Sequence, residues 1–249
     1  MSERPSTIVV VPTYNEAENL PRLAEQLWAL PGDPLHLLVV DDGSPDGTGQ
    51  VAEELARTRP GRISVLHRPG KLGLGPAYLA GFTEALRRNP SAVLQMDADF
   101  SHAPAELPGF LAALQEADAV FGSRYIPGGR LDERWGLGRA ALSRFGNFYA
   151  RAILRLPIRD VTGGFRAWRA EALLGLPLDR IRSNGYVFQV EMAYVAHRLG
   201  YSIVERPITF IDRRYGESKM SFRIQVEAAL RVWQVLLAHR GLRRPADRG

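Results

Sequence analysis

Short apolar runs alternate with stretches of helical periodicity along the first half of the chain. Residues 8–11 form a β-branched run that Pro12 ends, and residues 35–40 form a second apolar run. Between them, one helix face is marked by leucines spaced three or four residues apart: Leu20, Leu23, Leu27 and Leu30. A strand, a helix and a second strand in this order predict a βαβ unit with a parallel sheet.

The alternation continues to residue 122. Helical periodicity predicts helices at residues 48–57, 75–88 and 104–116. Apolar runs predict strands at residues 63–66, 92–96 and 119–122. Together these elements predict an α/β fold with a Rossmann-like, mostly parallel central sheet flanked by helices.

The second half of the chain is less regular. Residues 139–154 and 222–239 are long helical stretches that mix apolar and basic positions, and a glycine pair marks a turn at Gly163-Gly164. No internal repeat or low-complexity linker divides the sequence. We therefore expect one main domain over residues 1–220, followed by a C-terminal amphipathic helix and basic tail over residues 221–249.

Acidic residues stand directly after two of the predicted strands. Asp41 and Asp42 follow residues 35–40, and Asp97-Ala98-Asp99 follows the strand at residues 92–96. Ligands of open α/β sheets bind outside the carboxyl ends of the strands, so a site is expected here. Carboxylates two residues apart in extended chain point to the same side and can share one hard cation, Mg²⁺ or Mn²⁺. Zinc is not expected, because no histidine cluster accompanies these acids.

Two glycine-containing segments lie near these acids in the sequence. Residues 41–48, Asp-Asp-Gly-Ser-Pro-Asp-Gly-Thr, are typical of a turn before an N-capped helix, with one acid left to bind a base or ribose. Gly73-Leu74-Gly75 precedes a predicted helix but lacks the full Rossmann spacing. We interpret it as a tight turn near the ligand.

Composition narrows the class of protein. The 249 residues are 45% hydrophobic and 24% charged, which is ordinary for a globular α/β protein. Cysteine is absent, which excludes a disulfide framework and a cysteine-based zinc site. The apolar run at residues 8–11 is too short for a signal-peptide core, and no run approaches the roughly 20 residues of a membrane-spanning helix.

The net charge of +5 is concentrated at the C-terminus, where residues 213–249 carry nine Lys or Arg against three acidic residues. In residues 222–239, apolar side chains recur at helical spacing among arginines: Phe222, Val226, Leu230, Trp233 and Leu237. This pattern favours an interfacial amphipathic helix on an anionic membrane. An ordinary helix packed on the core or on a partner subunit is the alternative.

Six motifs in the first 220 residues occur in the order of a known enzyme family. The motifs are Pro12-Thr13-Tyr14-Asn15-Glu16, residues 41–48, Asp97-Ala98-Asp99-Phe100-Ser101-His102, Gly122-Ser123-Arg124-Tyr125, Thr162-Gly163-Gly164-Phe165-Arg166 and Tyr215-Gly216-Glu217-Ser218-Lys219. The chain resembles the inverting GT-A glycosyltransferases, and among them the dolichol- or polyprenol-phosphate mannosyltransferases without transmembrane helices. The resemblance implies a GT-A catalytic domain over residues 1–220.

The resemblance also implies a role for each matching residue. The base and ribose of the donor would be held by Pro12, Tyr14, Glu16, Val40 and Asp42. Asp97 and Asp99 would bind the cation, and the backbone of Ala98 would contact the donor. The donor diphosphate would be neutralised by Arg124, Arg213 and Lys219, and the acceptor phosphate received by Ser143-Arg144. The expected catalytic set is therefore Asp99, Arg124, Arg144, Arg213 and Lys219.

The implied reaction is metal-dependent transfer of mannose from GDP-mannose to a polyprenyl (dolichyl) phosphate, with inversion. A lipid phosphate is already an anion at neutral pH, its second pKa being about 6, so it needs no general base. The enzyme has to hold two anions together and stabilise the leaving diphosphate. Such an enzyme would be cytoplasmic and peripheral on the cytoplasmic face of the membrane. The resemblance is also compatible with a protein partner that anchors it to the membrane.

Other functions fit the sequence less well or stay open. Transfer of glucose from UDP-glucose to the same class of lipid uses a similar scaffold and stays open. A nucleotidyltransferase would need a Gly/Arg/Lys-rich triphosphate loop, which residues 12–16 do not provide. A non-catalytic nucleotide-sugar-binding protein is disfavoured by the intact Asp97, Asp99, Arg213 and Lys219. Nucleic acid is not an expected partner, because the basic tail shows neither interleaved exposed aromatic residues nor a known nucleic-acid-binding motif.

Simpler structural roles are compatible with several of these residues taken singly. Tyr14 is compatible with a packing role, and Arg124 with an ion pair to Asp118 or Glu133. Glu191 fits a helix-surface acid as well as a functional group, and His102 is expected to be a loop residue and not a ligand. Ser101 is not expected to be a third metal contact, because some relatives carry glutamine at that position.

Overall fold

The computed structural model describes residues 6–132, 136–211 and 222–243. The described strands are β1 (Thr7–Thr13), β2 (Leu35–Asp41), β3 (Ile63–His67), β4 (Ala92–Gln95), β5 (Ala119–Ser123), β6 (Arg130–Leu131), β7 (Arg166–Arg169), β8 (Ile203–Pro207) and β9 (Thr209–Phe210). The described α-helices are α1 (Asn19–Trp28), α2 (Thr48–Thr58), α3 (Leu74–Arg87), α4 (Leu107–Ala113), α5 (Leu137–Leu154), α6 (Ala170–Leu174), α7 (Gly185–Arg198) and α8 (Phe222–His239).

The central sheet has the strand order β3-β2-β1-β4-β7-β5-β8, and β6 and β9 form a separate short pair. Strand β7 runs antiparallel between β4 and β5, while the other pairs of the sheet are parallel. The prediction of an α/β fold with a mostly parallel central sheet is therefore confirmed. Because β1, β2 and β4 are parallel neighbours, their carboxyl ends meet at one edge of the sheet, where the predicted acidic residues lie.

Strands β1 and β2 are buried on both faces of the sheet. On one face, Ile8 and Val10 pack with side chains of α3, α5, α7 and α8. On the other face, Val9 and Val11 pack with side chains of α1, α2 and α4. Burial on both faces explains why these strands are uninterrupted apolar runs and do not alternate with polar residues.

Several elements of the first 210 residues differ from the sequence-based expectation. The short elements β6, α6, β8 and β9 and the longer helix α7 were not predicted. Residues 104–116, expected to form one helix, form a 3₁₀ turn at Pro104–Glu106 followed by the short helix α4. Pro108 stands in the first turn of α4, a position where proline is tolerated, so a new helix begins there. Strand β7 was not predicted, because the arginines at both ends of Arg-Ala-Trp-Arg hide its apolar centre.

The helix predicted at residues 222–239 is confirmed as α8 with the same bounds. It packs against α5 and α7, and the buried apolar positions among its described side chains are Ala228, Val232 and Val235. Those three side chains belong to the same hydrophobic core as the central sheet. The domain boundary at residue 220 stays a prediction. Among the described residues, no helix has the length and hydropathy needed to cross a bilayer.

Helix α3 lies unusually close to the sheet at Gly81. A Cβ atom on Gly81 would stand 2.4 Å from Val10 Cγ1 and 2.9 Å from Val40 Cγ2, both closer than real Cβ contacts. Only glycine therefore lets α3 approach β1 and β2 to this distance. The approach matters for the site, because α3 also carries Tyr78.

We expect Gly81→Ala to lower the free energy of unfolding by about 1–3 kcal/mol, the usual cost of overpacking a dense core. Gly146→Ala is the matched control, because a Cβ on this helical glycine would meet nothing within 4 Å. The control should stabilise the protein by up to about 1 kcal/mol through helix propensity. Urea unfolding followed by circular dichroism measures both. Equal stability of Gly81→Ala and the wild type would contradict the close approach of α3.

Candidate active site

The loops after β1 and β2 form one side of the site. The carboxylate of Asp42 is nearly buried and forms an ion pair with Arg68. Asp42 Oδ2 also accepts a hydrogen bond from the backbone N–H of Leu72 at 3.2 Å. Residues 68–72 therefore pack against the loop in which the base or ribose contact of Asp42 was predicted.

Tyr14 and Glu16 lie in the neighbouring loop, directly after β1. The Nζ atom of Lys71 lies 3.9 Å from the centroid of the Tyr14 ring, which is a cation–π distance. The backbone N–H of Glu16 donates to Thr48 Oγ1 at 2.9 Å and ties this loop to the start of α2. Pro12, Tyr14 and Glu16 are thus brought beside the loop of Asp42, as a shared nucleotide site requires.

Two of the residues predicted to bind the donor have buried apolar side chains. Val40 is fully buried on β2 and faces Gly81, and Ala98 is 2% exposed. A contact between the donor and either residue would therefore use the backbone. For Ala98 the family resemblance implies such a backbone contact.

The Asp97-Ala98-Asp99 segment follows β4 but is not a continuation of the strand. The backbone bends from Ala98 onward, and Phe100 has a φ of +59°, which is uncommon for a residue with a side chain. The expectation that both carboxylates stand in extended chain is therefore wrong. The carboxylates are held individually: Asp97 Oδ1 accepts from the Tyr78 hydroxyl, and Asp99 Oδ1 from the N–H of Ser101, each at 3.0 Å.

The donor atoms here suit a hard divalent cation. The carboxylates of Asp97 and Asp99 are oxygen ligands of the kind that Mg²⁺ and Mn²⁺ prefer. Ser101 Oγ is buried and has no hydrogen-bond partner in the part of the chain that the structure describes. The described residues contain no group of three or more His, Cys, Asp or Glu that could hold a metal ion. Two carboxylates suit a cation that completes its ligand shell with phosphate oxygens and water.

A buried polar network supports the Gly163-Gly164 turn beside Asp97. The Arg166 side chain is buried and donates to three backbone carbonyls, those of Val161, Gly163 and Gln189. Burial lowers the pKa of Arg166 to about 9, so this side chain keeps its charge at neutral pH. A Cβ atom on Gly164 would stand 3.7 Å from Asp97 Oδ2, so the turn lies against the carboxylate.

Arg124 is buried and forms a bidentate ion pair with Asp160. Its Nε and Nη2 atoms lie 2.6 Å and 2.8 Å from the two carboxylate oxygens, and its backbone N–H donates to the same carboxylate at 3.0 Å. Nη2 also donates to Thr162 Oγ1 at 2.8 Å. Nη1 has no hydrogen-bond partner among the described residues. The pairing of Arg124 with Asp118 considered from the sequence is wrong, and Glu133 lies outside the described residues.

Mutual attraction decides the protonation states of this pair. Burial alone would raise the pKa of Asp160, but the charge and hydrogen bonds of Arg124 outweigh burial and lower it. Burial alone would lower the pKa of Arg124, but the charge of Asp160 raises it. Both groups are therefore ionised at neutral pH.

A cavity of about 550 Å³ opens between α5, α7 and α8, and Arg124 lines it. Its other polar side chains are those of Arg139, Ser143 and Thr162. The remaining lining is mainly apolar and includes Leu142, Tyr149, Val190, Ala228 and Val232. Arg124, predicted to neutralise the donor diphosphate, and Ser143, predicted to receive the acceptor phosphate, thus line one cavity. Arg144 is not: its side chain is exposed on α5 and does not line the cavity.

Arg213 and Lys219 lie outside the described residues, together with the whole Tyr215–Lys219 motif. Their roles toward the donor diphosphate stay predictions.

Glu191 is a buried residue that joins α7 to α8, which excludes the helix-surface acid, one of the two interpretations that the sequence left open. Glu191 Oε1 lies 2.7 Å from Nε2 of His239, and Oε2 accepts the backbone N–H of Ser183 at 2.7 Å. Burial alone would raise the pKa of Glu191, but these hydrogen bonds outweigh it and lower the pKa. His102 is a buried loop residue, as expected; its Nδ1 accepts the N–H of Asp97 at 3.3 Å.

Five side chains at the site were not singled out from the sequence: Arg68, Lys71, Tyr78, Arg139 and Asp160. Asp160 is separated by two residues from the Gly163-Gly164 pair of a recognised motif, and this position in the sequence could have indicated that it belongs to the site. Tyr78 and Arg68 had no such signal, because nothing in their local sequence shows that they reach acids far along the chain.

The family of the chain follows from sequence comparison. Residues 8–175 match the model of glycosyl transferase family 2. The chain belongs to this family and is a glycosyltransferase. It is 48% identical over 244 residues to the polyprenol monophosphomannose synthase of Mycolicibacterium smegmatis, covering 97% of this chain and 89% of that protein. It is 46% identical over 239 residues to the undecaprenyl-phosphate mannosyltransferase of Micrococcus luteus, covering 95% of this chain and 97% of that protein.

Solved structures with less than 25% identity share the fold. A mannosyltransferase from Pyrobaculum calidifontis, solved with GDP-Man and Mn²⁺, has a TM-score of 0.64 and 23% identity over 98% of this chain and 67% of that chain. Glucosyl-3-phosphoglycerate synthase from Mycobacterium tuberculosis, solved with Mn²⁺, UDP and phosphoglyceric acid, has a TM-score of 0.67 and 19% identity over 98% and 80% of the two chains. These likenesses establish the GT-A architecture of the sheet and its helices.

We expect Asp160→Asn to lower the free energy of unfolding by about 3–5 kcal/mol, because it leaves the buried charge of Arg124 without its partner. Asp118→Asn is the control, since Asp118 accepts hydrogen bonds from Ser202 at an exposed position. The control should cost no more than about 1 kcal/mol. Urea unfolding at neutral pH measures both variants.

The pair of Arg124 and Asp160 also predicts that the free energy of unfolding depends on pH. Because folding lowers the pKa of Asp160, its stabilisation is complete above the ordinary carboxyl value of 3.8 and is lost as the pH falls through the lower folded value. The stability difference between wild type and Asp160→Asn should therefore shrink as the pH is lowered below about 4. A difference that stays constant into acid would contradict an ionised Asp160.

Proposed function

We propose that this glycosyltransferase moves mannose from GDP-mannose to a polyprenyl phosphate, with inversion and with a divalent cation. The observation that carries the proposal is the closeness of two unlike sites. Thr162 lines the apolar cavity, and Gly164 lies against Asp97. Two residues of chain span at most about 7 Å. A phosphate bound at the Thr162 end of the cavity would therefore lie close to the carboxylates of Asp97 and Asp99, which are proposed to face the donor.

The lining of the cavity suits the phosphate group of a polyprenyl phosphate and the first part of its isoprenoid chain. Its apolar walls suit an isoprenoid chain, and the polar groups Arg124, Arg139 and Ser143 lie on the same lining. Nη1 of Arg124 is available to an incoming anion, because the ion pair with Asp160 uses the Nε and Nη2 atoms. The acceptor arrives as an anion, so these residues need to bind and orient it and have no proton to remove. Names of relatives 46–48% identical over nearly the whole chain support the same acceptor class.

The residues proposed to bind the donor lie in the loops after β1, β2 and β4. The loops of Tyr14 and Asp42 would hold the nucleoside, and Asp97 and Asp99 would hold the cation. A bound divalent cation supplies positive charge to the departing diphosphate. Arg213 and Lys219 are proposed to neutralise the same diphosphate, on the strength of the family resemblance.

Helices α5 and α8 are proposed to lie on the membrane that carries the acceptor. Five large apolar side chains of these helices are between 47% and 65% exposed: Phe145, Phe148, Leu230, Trp233 and Leu237. Trp233 Nε1 donates to the Tyr149 hydroxyl at 2.9 Å, which joins the two helices into one surface. Exposed Arg144, Arg231 and Arg240 on or next to these helices complement anionic lipid. We place this peripheral contact on the cytoplasmic face, with a membrane-anchoring protein as a further partner.

The reaction is tested with purified protein, a short polyprenyl phosphate, and GDP-mannose or UDP-glucose in parallel. We expect a mannosyl phospholipid from GDP-mannose in Mg²⁺ or Mn²⁺, and none in EDTA. Asp99→Ala should lower kcat/KM by at least about 100-fold, the scale for losing one electrostatic stabiliser of the transition state. Asp179→Ala, which removes an exposed acid on the turn after α6, is the matched control and should keep wild-type activity.

If product forms from UDP-glucose and not from GDP-mannose, the donor in this proposal is wrong and the polyprenyl phosphate acceptor is retained. Nucleotide binding without product from either donor would refute the lipid-phosphate acceptor. Full activity in EDTA would refute the role of the cation.

Membrane contact is tested by sedimentation with vesicles of phosphatidylglycerol and phosphatidylethanolamine. We expect Phe148→Ser/Leu237→Ser to weaken binding by at least about 10-fold, because each apolar side chain contributes about 1.5–3 kcal/mol when fully buried. Leu174→Ser is the control, since Leu174 is equally exposed but lies on α6. Wild-type binding by the double variant would show that α5 and α8 do not form the membrane surface.

A further inference from the structure

Tyr78 is a fully buried tyrosine whose only polar side-chain atom is directed at the candidate metal site. Its hydroxyl donates to Asp97 Oδ1 at 3.0 Å. The family resemblance assigns Tyr78 no role, and its position on α3 is 19 residues before the acid that it contacts.

Packing fixes the Tyr78 ring on both sides. The ring stacks on Phe188 with a centroid distance of 5.9 Å and an interplanar angle of 2°, and on Phe82 at 5.7 Å. Helix α3 itself is held against its neighbours by glycines, because a Cβ on Gly75 would stand 2.5 Å from the carbonyl oxygen of Ser183. The hydroxyl therefore has little freedom to leave Asp97.

A fixed hydroxyl restricts the rotation of the Asp97 carboxylate. With Oδ1 held by Tyr78, Oδ2 is directed to the side of the Gly163-Gly164 turn. This orientation exists before any cation binds. Hydrogen-bond partners that orient a ligating carboxylate in this way typically set metal affinity, and losing one costs about 10- to 100-fold.

We propose that Tyr78 is a positioning residue that orients Asp97 toward the divalent cation and the donor diphosphate. The proposal rests on the proposed function, since it assumes that Asp97 is a cation ligand. Tyr78 acts through Asp97, because its buried ring gives the hydroxyl no other route to the donor.

The test is Mn²⁺ binding by Tyr78→Phe, measured by electron paramagnetic resonance in the presence of GDP. The substitution removes one oxygen and keeps the ring stack, so we expect the fold to persist and Mn²⁺ affinity to fall by about 10- to 100-fold. GDP affinity in EDTA should be unchanged, because Tyr78 is expected to act only on the cation. Tyr194→Phe is the matched control: it removes the hydroxyl of a tyrosine that is 2% exposed on α7, and should leave Mn²⁺ affinity unchanged.

Thermal unfolding separates positioning from a general structural role. A structural role alone would lower the melting temperature and leave Mn²⁺ affinity intact in the folded protein, which would overturn the inference. A parallel loss of GDP affinity in EDTA would also overturn it, because the damage would then extend beyond the cation. Phe188→Leu is a second variant that keeps the hydroxyl and removes a stacking partner. It should weaken Mn²⁺ binding by a smaller factor than Tyr78→Phe, and unchanged binding by this variant would count against the inference.

The same data distinguish this inference from the proposed function. If the wild type with GDP binds no Mn²⁺, the cation in the proposed function is refuted, and the inference fails with it. If the wild type binds Mn²⁺ and Tyr78→Phe binds it equally well, the proposed function stands and only the role of Tyr78 is refuted.

Discussion

The ion pair between Arg124 and Asp160 holds together the two halves of the site. Asp160 is fully buried, and it accepts hydrogen bonds from the guanidinium and the backbone N–H of Arg124 and from the backbone N–H of Gly163. A lone buried charge is costly, so each member depends on the other for a stable position. The pair anchors the start of residues 160–164. That segment lies between the apolar cavity and Asp97, so the separation of the proposed acceptor and donor sites depends on it.

Close packing supports the other side of the same segment. Arg166 binds three backbone carbonyls, and Gln95 donates to the carbonyl of Gly164 at 3.1 Å and to Gln189 at 2.9 Å. Helix α3 reaches the carboxylates only because Gly81 allows its approach to the sheet. Rigid elements thus position the polar groups, while Tyr14, proposed to bind the nucleoside, and Lys71, which contacts its ring, lie on loops. Polar groups fixed by rigid elements, with further contacts supplied by loops, are a common arrangement for a site that must bind substrate and release product.

Helix α8 serves two surfaces at once. Its inner face contributes Val232 to the cavity, and the buried pair of Glu191 and His239 fixes its end to α7. Its outer face exposes Leu230, Trp233 and Leu237. Phe145 of α5 is exposed and also lines the cavity, so the proposed membrane surface adjoins the proposed acceptor cavity. This would give a lipid in the bilayer a short path to the site.

The sequence by itself determined the α/β class, the parallel β1–β4 core, the bounds of α8 and the positions of Asp42, Asp97 and Asp99 at strand ends. Periodicity and strand-end position are local properties, so they can be read from neighbouring residues. The partner of Arg124, the burial of Glu191, the exposure of Arg144 and the hydroxyl of Tyr78 on Asp97 were decided by the tertiary structure alone. Each depends on contacts between residues distant in sequence: Arg124 and Asp160 are 36 residues apart, and Glu191 and His239 are 48 apart. A local pattern cannot show which buried charge will meet which partner, because that choice is made when the helices pack on the sheet.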